Sequence, residues 1–112
     1  MKKLKSILIA LSFIAIFSGC KKEPTACFTV EWLNDAKVKL DATCSKDVEI
    51  YSWSCSGPNG STADCRLTTN ESAANQSYVT YTLGYVGFYE IKLTVNNDGL
   101  IKETTQTIRR TK

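Results

Sequence analysis

The chain has 112 residues, a formal net charge of +3, five cysteines and no histidine. That length holds one small domain, and the missing histidine removes the commonest general base, nucleophile activator and metal ligand. The excess charge is confined to Lys2, Lys3 and Lys5: from residue 20 onward 11 Lys and Arg balance 11 Asp and Glu, so the working part of the chain offers no basic face for nucleic acid.

The first element is a leader. "MKKLKS" is basic, and the apolar run "ILIALSFIAIF" from Ile7 to Phe17 is 11 residues long, short of the ~20 that a membrane-spanning helix needs. The layout fits an export signal over residues 1–19. The segment "FSGC" then resembles a bacterial lipobox: small Ser18 and Gly19 precede Cys20, whose thiol would take diacylglycerol and become the new N-terminus. Phe17 stands where that pattern usually has Leu. The competing readings are a soluble secreted chain and an uncleaved membrane anchor. Acyl chains gain about 0.8 kcal/mol per buried CH₂, so several on one residue hold firmly. Lys21 after the lipid cysteine, where inner-membrane retention would favour Asp by family analogy, leans toward the outer membrane, and "KKE" leaves export to the cell surface open.

A polar tether covers 20–25, and the domain follows. "ACFTVEW" alternates, with Phe28, Val30 and Trp32 on one face. "KVKLDA" alternates again around Val38 and Leu40, and "VEIYSWSC" puts Tyr51 and Trp53 together. "SGPNGS" is dense turn punctuation. The polar stretch 62–76 leaves room for a short edge strand near Cys65 to Thr68. "SYVTYTL" aligns Val79, Tyr81 and Leu83, and "FYEIKLTVNN" aligns Tyr89, Ile91, Leu93 and Val95 inward, with Phe88, Glu90, Lys92 and Thr94 outward. "NNDG" predicts a hairpin turn and "LIKETTQTIRR" a last strand. The terminal "IRRTK" reads as a frayed, solvated end. About seven short strands with turn signals every eight to twelve residues predict an all-β, antiparallel sandwich with one wet face per sheet.

Beyond Cys20, four cysteines remain: Cys27, Cys44, Cys55 and Cys65. In an exported domain of this size an even number predicts disulfides. Without a C-x-x-C pair or a histidine, no metal site and no cofactor are expected.

Several segments together resemble the polycystic-kidney-disease (PKD) domain, an immunoglobulin-like sandwich. Pro24, Ala26, Phe28 and Val30 match the family's opening. Asp41 and Ala42 match the turn after its second strand, Tyr51 and Trp53 its Tyr-x-Trp strand, and Gly87, Tyr89, Ile91, Leu93 and Val95 its sixth strand. The likeness covers roughly 24–108 and implies a PKD-like domain over 26–110. It departs after Trp53, where the family's Asp-Phe-Gly-Asp-Gly is replaced by "SCSGPNG". Any calcium or acidic contact made by those acids does not carry over.

In such a sandwich Cys27 and Cys44 lie at one pole, while Cys55 ends the third strand about 17–20 Å away and Cys65 sits just across a turn. A disulfide needs Cα atoms within about 7 Å. Of three possible connectivities, this topology favours Cys27–Cys44 and Cys55–Cys65.

Trp53 is expected in the core, and Tyr89, following "GF", at the place of a corner tyrosine. Trp32 shares the parity of Phe28 and Val30 and is expected as a core plug; were it past the strand's end, it would be an exposed stacking platform. Tyr78, Tyr85 and Phe88 point outward or sit in turns, and with Trp32 they are the candidate binding aromatics. Asp41, Asp47 and Asp98 fall at turns, where turn chemistry accounts for them. With no histidine and no nucleophile-elbow motif, no enzyme is expected. The expectation is a lipid-anchored adhesion or recognition module of the cell envelope, with a glycan or an envelope protein as partner. The alternative is a structural accessory subunit or spacer of an envelope complex, without a ligand of its own. An exposed aromatic patch would favour the first and a flat apolar sheet face the second.

Overall fold

The computed structural model describes residues 22–68 and 72–112. The expected signal segment 1–19 and the lipidation site Cys20 lie outside the described residues. Among the described residues seven strands follow one another: β1 (Thr29–Trp32), β2 (Lys37–Asp41), β3 (Ile50–Ser56), β4 (Cys65–Leu67), β5 (Tyr78–Leu83), β6 (Gly87–Asn97) and β7 (Leu100–Arg110). Among the described residues the one helical element is a single 3₁₀ turn, Thr62–Asp64.

All strand pairs are antiparallel. β1-β2-β5-β4 form a four-stranded sheet and β3-β6-β7 a three-stranded one. The two sheets pack as a sandwich because each strand alternates. Val38 and Leu40, Val79, Tyr81 and Leu83, Trp53 and Cys55, and Tyr89, Ile91, Leu93 and Val95 are all buried between them, joined by Phe28 and Ala42. Burying an aliphatic side chain of this size contributes roughly 1.5–3 kcal/mol, so the unbroken inward row of β6 is a main stabilising feature. Phe28 meets Trp53 edge to face, with ring centroids 5.2 Å apart at 79°. The indole N–H of Trp53 donates to the Gln76 carbonyl at 2.8 Å, so the buried ring keeps its polar atom satisfied.

The long β6–β7 hairpin turns on Asp98 and Gly99, whose φ angles of 53° and 89° are both left-handed. Two-residue hairpins of this kind need such angles, and Asp-Gly supplies them cheaply. The seam between the sheets is strapped by side chains of β7. Gln106 Nε2 donates to the Phe28 carbonyl and Arg110 Nη1 to the Leu83 carbonyl, each at 2.7 Å. The basic tail is therefore not frayed as its composition implied: Ile108 to Arg110 complete β7, and Arg110 is held by the opposite sheet.

Both disulfides are present, Cys27–Cys44 and Cys55–Cys65, with Cα separations of 5.5 and 6.1 Å. They fasten opposite poles. At the first, the incoming chain is laid down: Thr25 bridges Lys46, Asn97 Nδ2 donates to the Lys22 carbonyl at 3.0 Å, and Lys102 meets Glu23 at 3.4 Å. The second pole gathers the β1–β2 turn, the loop from Gly57 to Asp64, the β5–β6 turn and the end of β7.

A candidate binding site at the pole opposite the tether

The distal pole is built on a tyrosine and an aspartate. Tyr89, fully buried at the start of β6, sends its hydroxyl back four residues. It accepts from the Tyr85 N–H at 2.8 Å and donates to the Tyr85 carbonyl at 2.7 Å. This is the expected corner tyrosine, and it fixes the β5–β6 turn. Asp64, only 5% exposed, accepts from the Asn59 N–H at 2.9 Å and from the Asn59 side-chain amide at 3.2 Å. Its own carbonyl accepts from Gly84 N–H at 2.9 Å, which ties the Gly57–Asp64 loop to the β5–β6 turn. Gly57 makes this packing possible: a Cβ there would lie 2.3 Å from the Asp64 Cβ and 2.8 Å from the Tyr89 ring. Asp64 was not legible as a structural acid, because nothing in "STADC" distinguishes a buried turn aspartate from an exposed one.

On this rigid base the large apolar side chains point outward. Trp32 is 41% exposed, Phe88 60% and Tyr85 55%, with Leu33 and Val86 beside them in the same turns. The expectation of Trp32 as a core plug is thus corrected. Its parity matches that of Phe28 and Val30, but it is the last residue of the four-residue β1, at the rim where the sandwich ends. The other reading, an exposed platform past the packed part of the strand, describes it.

Arg109 links the aromatics. It pairs with Phe88 across β6 and β7, and its guanidinium lies 5.4 Å from the centre of the Phe88 ring. On the other side it lines a cleft of about 270 Å³ with Trp32, Asn34, Asp35 and Thr111. Asn34 Oδ1 accepts from the Ala36 N–H at 2.8 Å, which shapes the β1–β2 turn. The cleft therefore offers one aromatic face, one carboxylate, one guanidinium and small polar groups. Sequence reasoning missed Asn34, Asp35 and Arg109. Their only signal was position: a turn directly after a strand-end tryptophan, and a basic residue on the outward parity of the last strand.

Tyr78 does not belong to this group. It pairs with Asp41 toward the opposite pole, on the outer face of the four-stranded sheet, with Lys39 Nζ 5.2 Å from its ring centre. Asp41 ends β2 and accepts from the Thr43 N–H at 2.8 Å. Hydrogen bonds from the Thr43 backbone, then its side chain, hold the Asp41 carboxyl below its ordinary pKa. Asp47 and Asp98 adopt left-handed φ angles of 57° and 53° in turns. A second crevice, at the Cys55–Cys65 bridge, is lined mostly by core side chains such as Trp53, Leu67 and Tyr81. Among the described residues no three His, Cys, Asp or Glu side chains are grouped to hold a metal ion.

No family model, curated protein or solved structure matches the chain.

Proposed function

We propose that this protein is a lipid-anchored, non-catalytic recognition module of a bacterial cell envelope, immunoglobulin-like in fold and PKD-like in its strand motifs. It binds a glycan or an envelope protein through the pole opposite its anchor. The observation that carries this reading is the cluster of Trp32, Leu33, Tyr85, Val86 and Phe88, all exposed at one pole. Exposed apolar side chains gathered at one pole among polar groups mark an interaction site.

Two further features support it. The order β1-β2-β5-β4 against β3-β6-β7 is the arrangement of a constant-type immunoglobulin sandwich, a fold that presents recognition loops at its ends. Contacts from Lys22, Glu23 and Thr25 to the β6–β7 hairpin end and the Lys46 turn hold the incoming chain at the other end. With Cys20 acylated two residues before Lys22, the aromatic pole faces away from the bilayer, and Lys21 directly after the lipid cysteine leans toward the outer membrane.

The test is binding of the labelled protein to envelopes isolated from the producing cells. Replacing Trp32 and Phe88 together by Ala weakens binding at least tenfold, while replacing Ile50 and Ile101, exposed near the tethered pole, leaves it unchanged. Equal loss from both pairs, or from neither, contradicts the reading. Metabolic labelling with palmitate checks the anchor: incorporation is lost in Cys20→Ser.

A further inference from the structure

We infer that the cleft between the β1–β2 turn and the end of β7 binds a single neutral sugar ring, at the end or on a branch of a larger glycan. This rests on the proposed recognition role of the distal pole and names its ligand class. Four observations converge. First, Trp32 presents an exposed indole at the cleft. The C–H face of a pyranose is apolar and flat, and an aromatic ring at a wet, polar rim is the surface that it covers well. Second, Asp35 and Arg109 line the same cleft. A carboxylate that only accepts and a guanidinium that only donates together satisfy neighbouring hydroxyls, each of which does both. Third, one negative and one positive group leave the cleft without net charge. A uronic or sialic acid would gain Arg109 but meet Asp35, whereas a neutral sugar meets neither penalty. Fourth, the volume of about 270 Å³ lies below the range of ~300–1,000 Å³ typical of sites that enclose whole drug-sized ligands. It suits one ring, with the rest of the chain running over Tyr85 and Phe88.

A protein partner is the other class that an aromatic pole can serve. The cleft argues against it as the primary ligand: beside Trp32 its lining is the polar Asn34, Asp35, Arg109 and Thr111, while a protein hot spot would centre on the apolar residues.

The two tryptophans make the test direct. Trp53 is buried and hydrogen-bonded to the Gln76 carbonyl, so a ligand at the cleft changes the emission of Trp32 alone. The purified full chain in detergent is titrated with a panel of neutral oligosaccharides ending in glucose, galactose, mannose or N-acetylglucosamine, and with the matching uronic-acid-terminated set. At least one neutral probe is expected to shift the emission saturably. Trp32→Ala abolishes binding by calorimetry, Trp32→Phe retains part of it, and Ile101→Ala leaves it unchanged. Asp35→Asn weakens the neutral probe several-fold and brings uronate probes within tenfold of it. If no probe binds while envelope binding still depends on Trp32, the sugar inference is overturned and the recognition role stands, with a protein partner. If envelope binding is indifferent to Trp32 and Phe88, the recognition role falls as well. A uronate probe bound more tightly than every neutral one by the unaltered protein also overturns the inference.

Discussion

The two poles of this sandwich carry one disulfide each, yet they are finished in opposite ways. The pole at which the chain enters, the tethered one in the proposed reading, is closed on itself. Ser45 Oγ accepts from the Cys27 N–H at 2.9 Å and donates to the Cys27 carbonyl at 2.6 Å, Thr25 bridges Lys46, and the incoming chain lies along the hairpin end. The distal pole is equally well fixed from within, by Tyr89, Asp64 and Cys55–Cys65, but turns Trp32, Tyr85 and Phe88 to the solvent. The difference teaches that exposure here is not looseness. The distal aromatics stand on buried supports, and a rigid aromatic loses little conformational entropy on binding.

Four perturbations sharpen that contrast. The largest effects come from the disulfides. Their cysteines are 17 and 10 residues apart, and the chain-entropy treatment assigns about 3 kcal/mol to each. Paired Cys→Ser replacement at either bridge should lower the melting temperature by on the order of 15 °C. Only the loss of Cys55–Cys65 should also weaken envelope binding, because only that bridge underlies the distal loops. Next, Tyr89→Phe keeps the ring but removes the hydroxyl that serves both the N–H and the carbonyl of Tyr85. Denaturant unfolding should show a loss of about 1–3 kcal/mol, with amide exchange accelerated at the β5–β6 turn. Third, Trp32→Ala should change stability by less than about 1 kcal/mol while removing most binding. A large stability loss would return Trp32 to the core.

The smallest effect is a pH dependence at the tethered side. Asp41 has its folded pKa depressed, chiefly by the Thr43 backbone N–H. Its contribution is therefore full above the ordinary carboxylate pKa, near 4, and is lost as pH falls through the lower folded value. Urea midpoints measured from about pH 6 down to about pH 2.5 should decline less in Asp41→Asn than in the unaltered protein. Distal binding measured at pH 6 should be the same in both.

Much of this fold was legible because strict alternation encodes burial. In "FYEIKLTV" each odd partner of Tyr89 is inside and Phe88 and Glu90 are outside, and the Asp-Gly turn fixes the register of β7 against it. The disulfide pairing followed from which pole each strand end occupies. Parity failed at Trp32 because it names a face and not the point at which the opposing layer ends. Composition failed at Arg109 and Arg110, since a basic terminal run looks solvated until a neighbouring sheet supplies a carbonyl, as Leu83 does. The cleft was the least legible part. Its residues come from positions 32–35 and 109–111, and only the tertiary fold brings those two segments together.

The most direct test is amide hydrogen exchange of the protein free and bound to isolated envelopes. The account predicts new protection concentrated in residues 32–36, 84–88 and 109–111, with little change at 22–27, 44–47 and 97–100. Protection centred on the tethered pole, or spread over the outer face of β3, β6 and β7 with the distal turns unchanged, would contradict it.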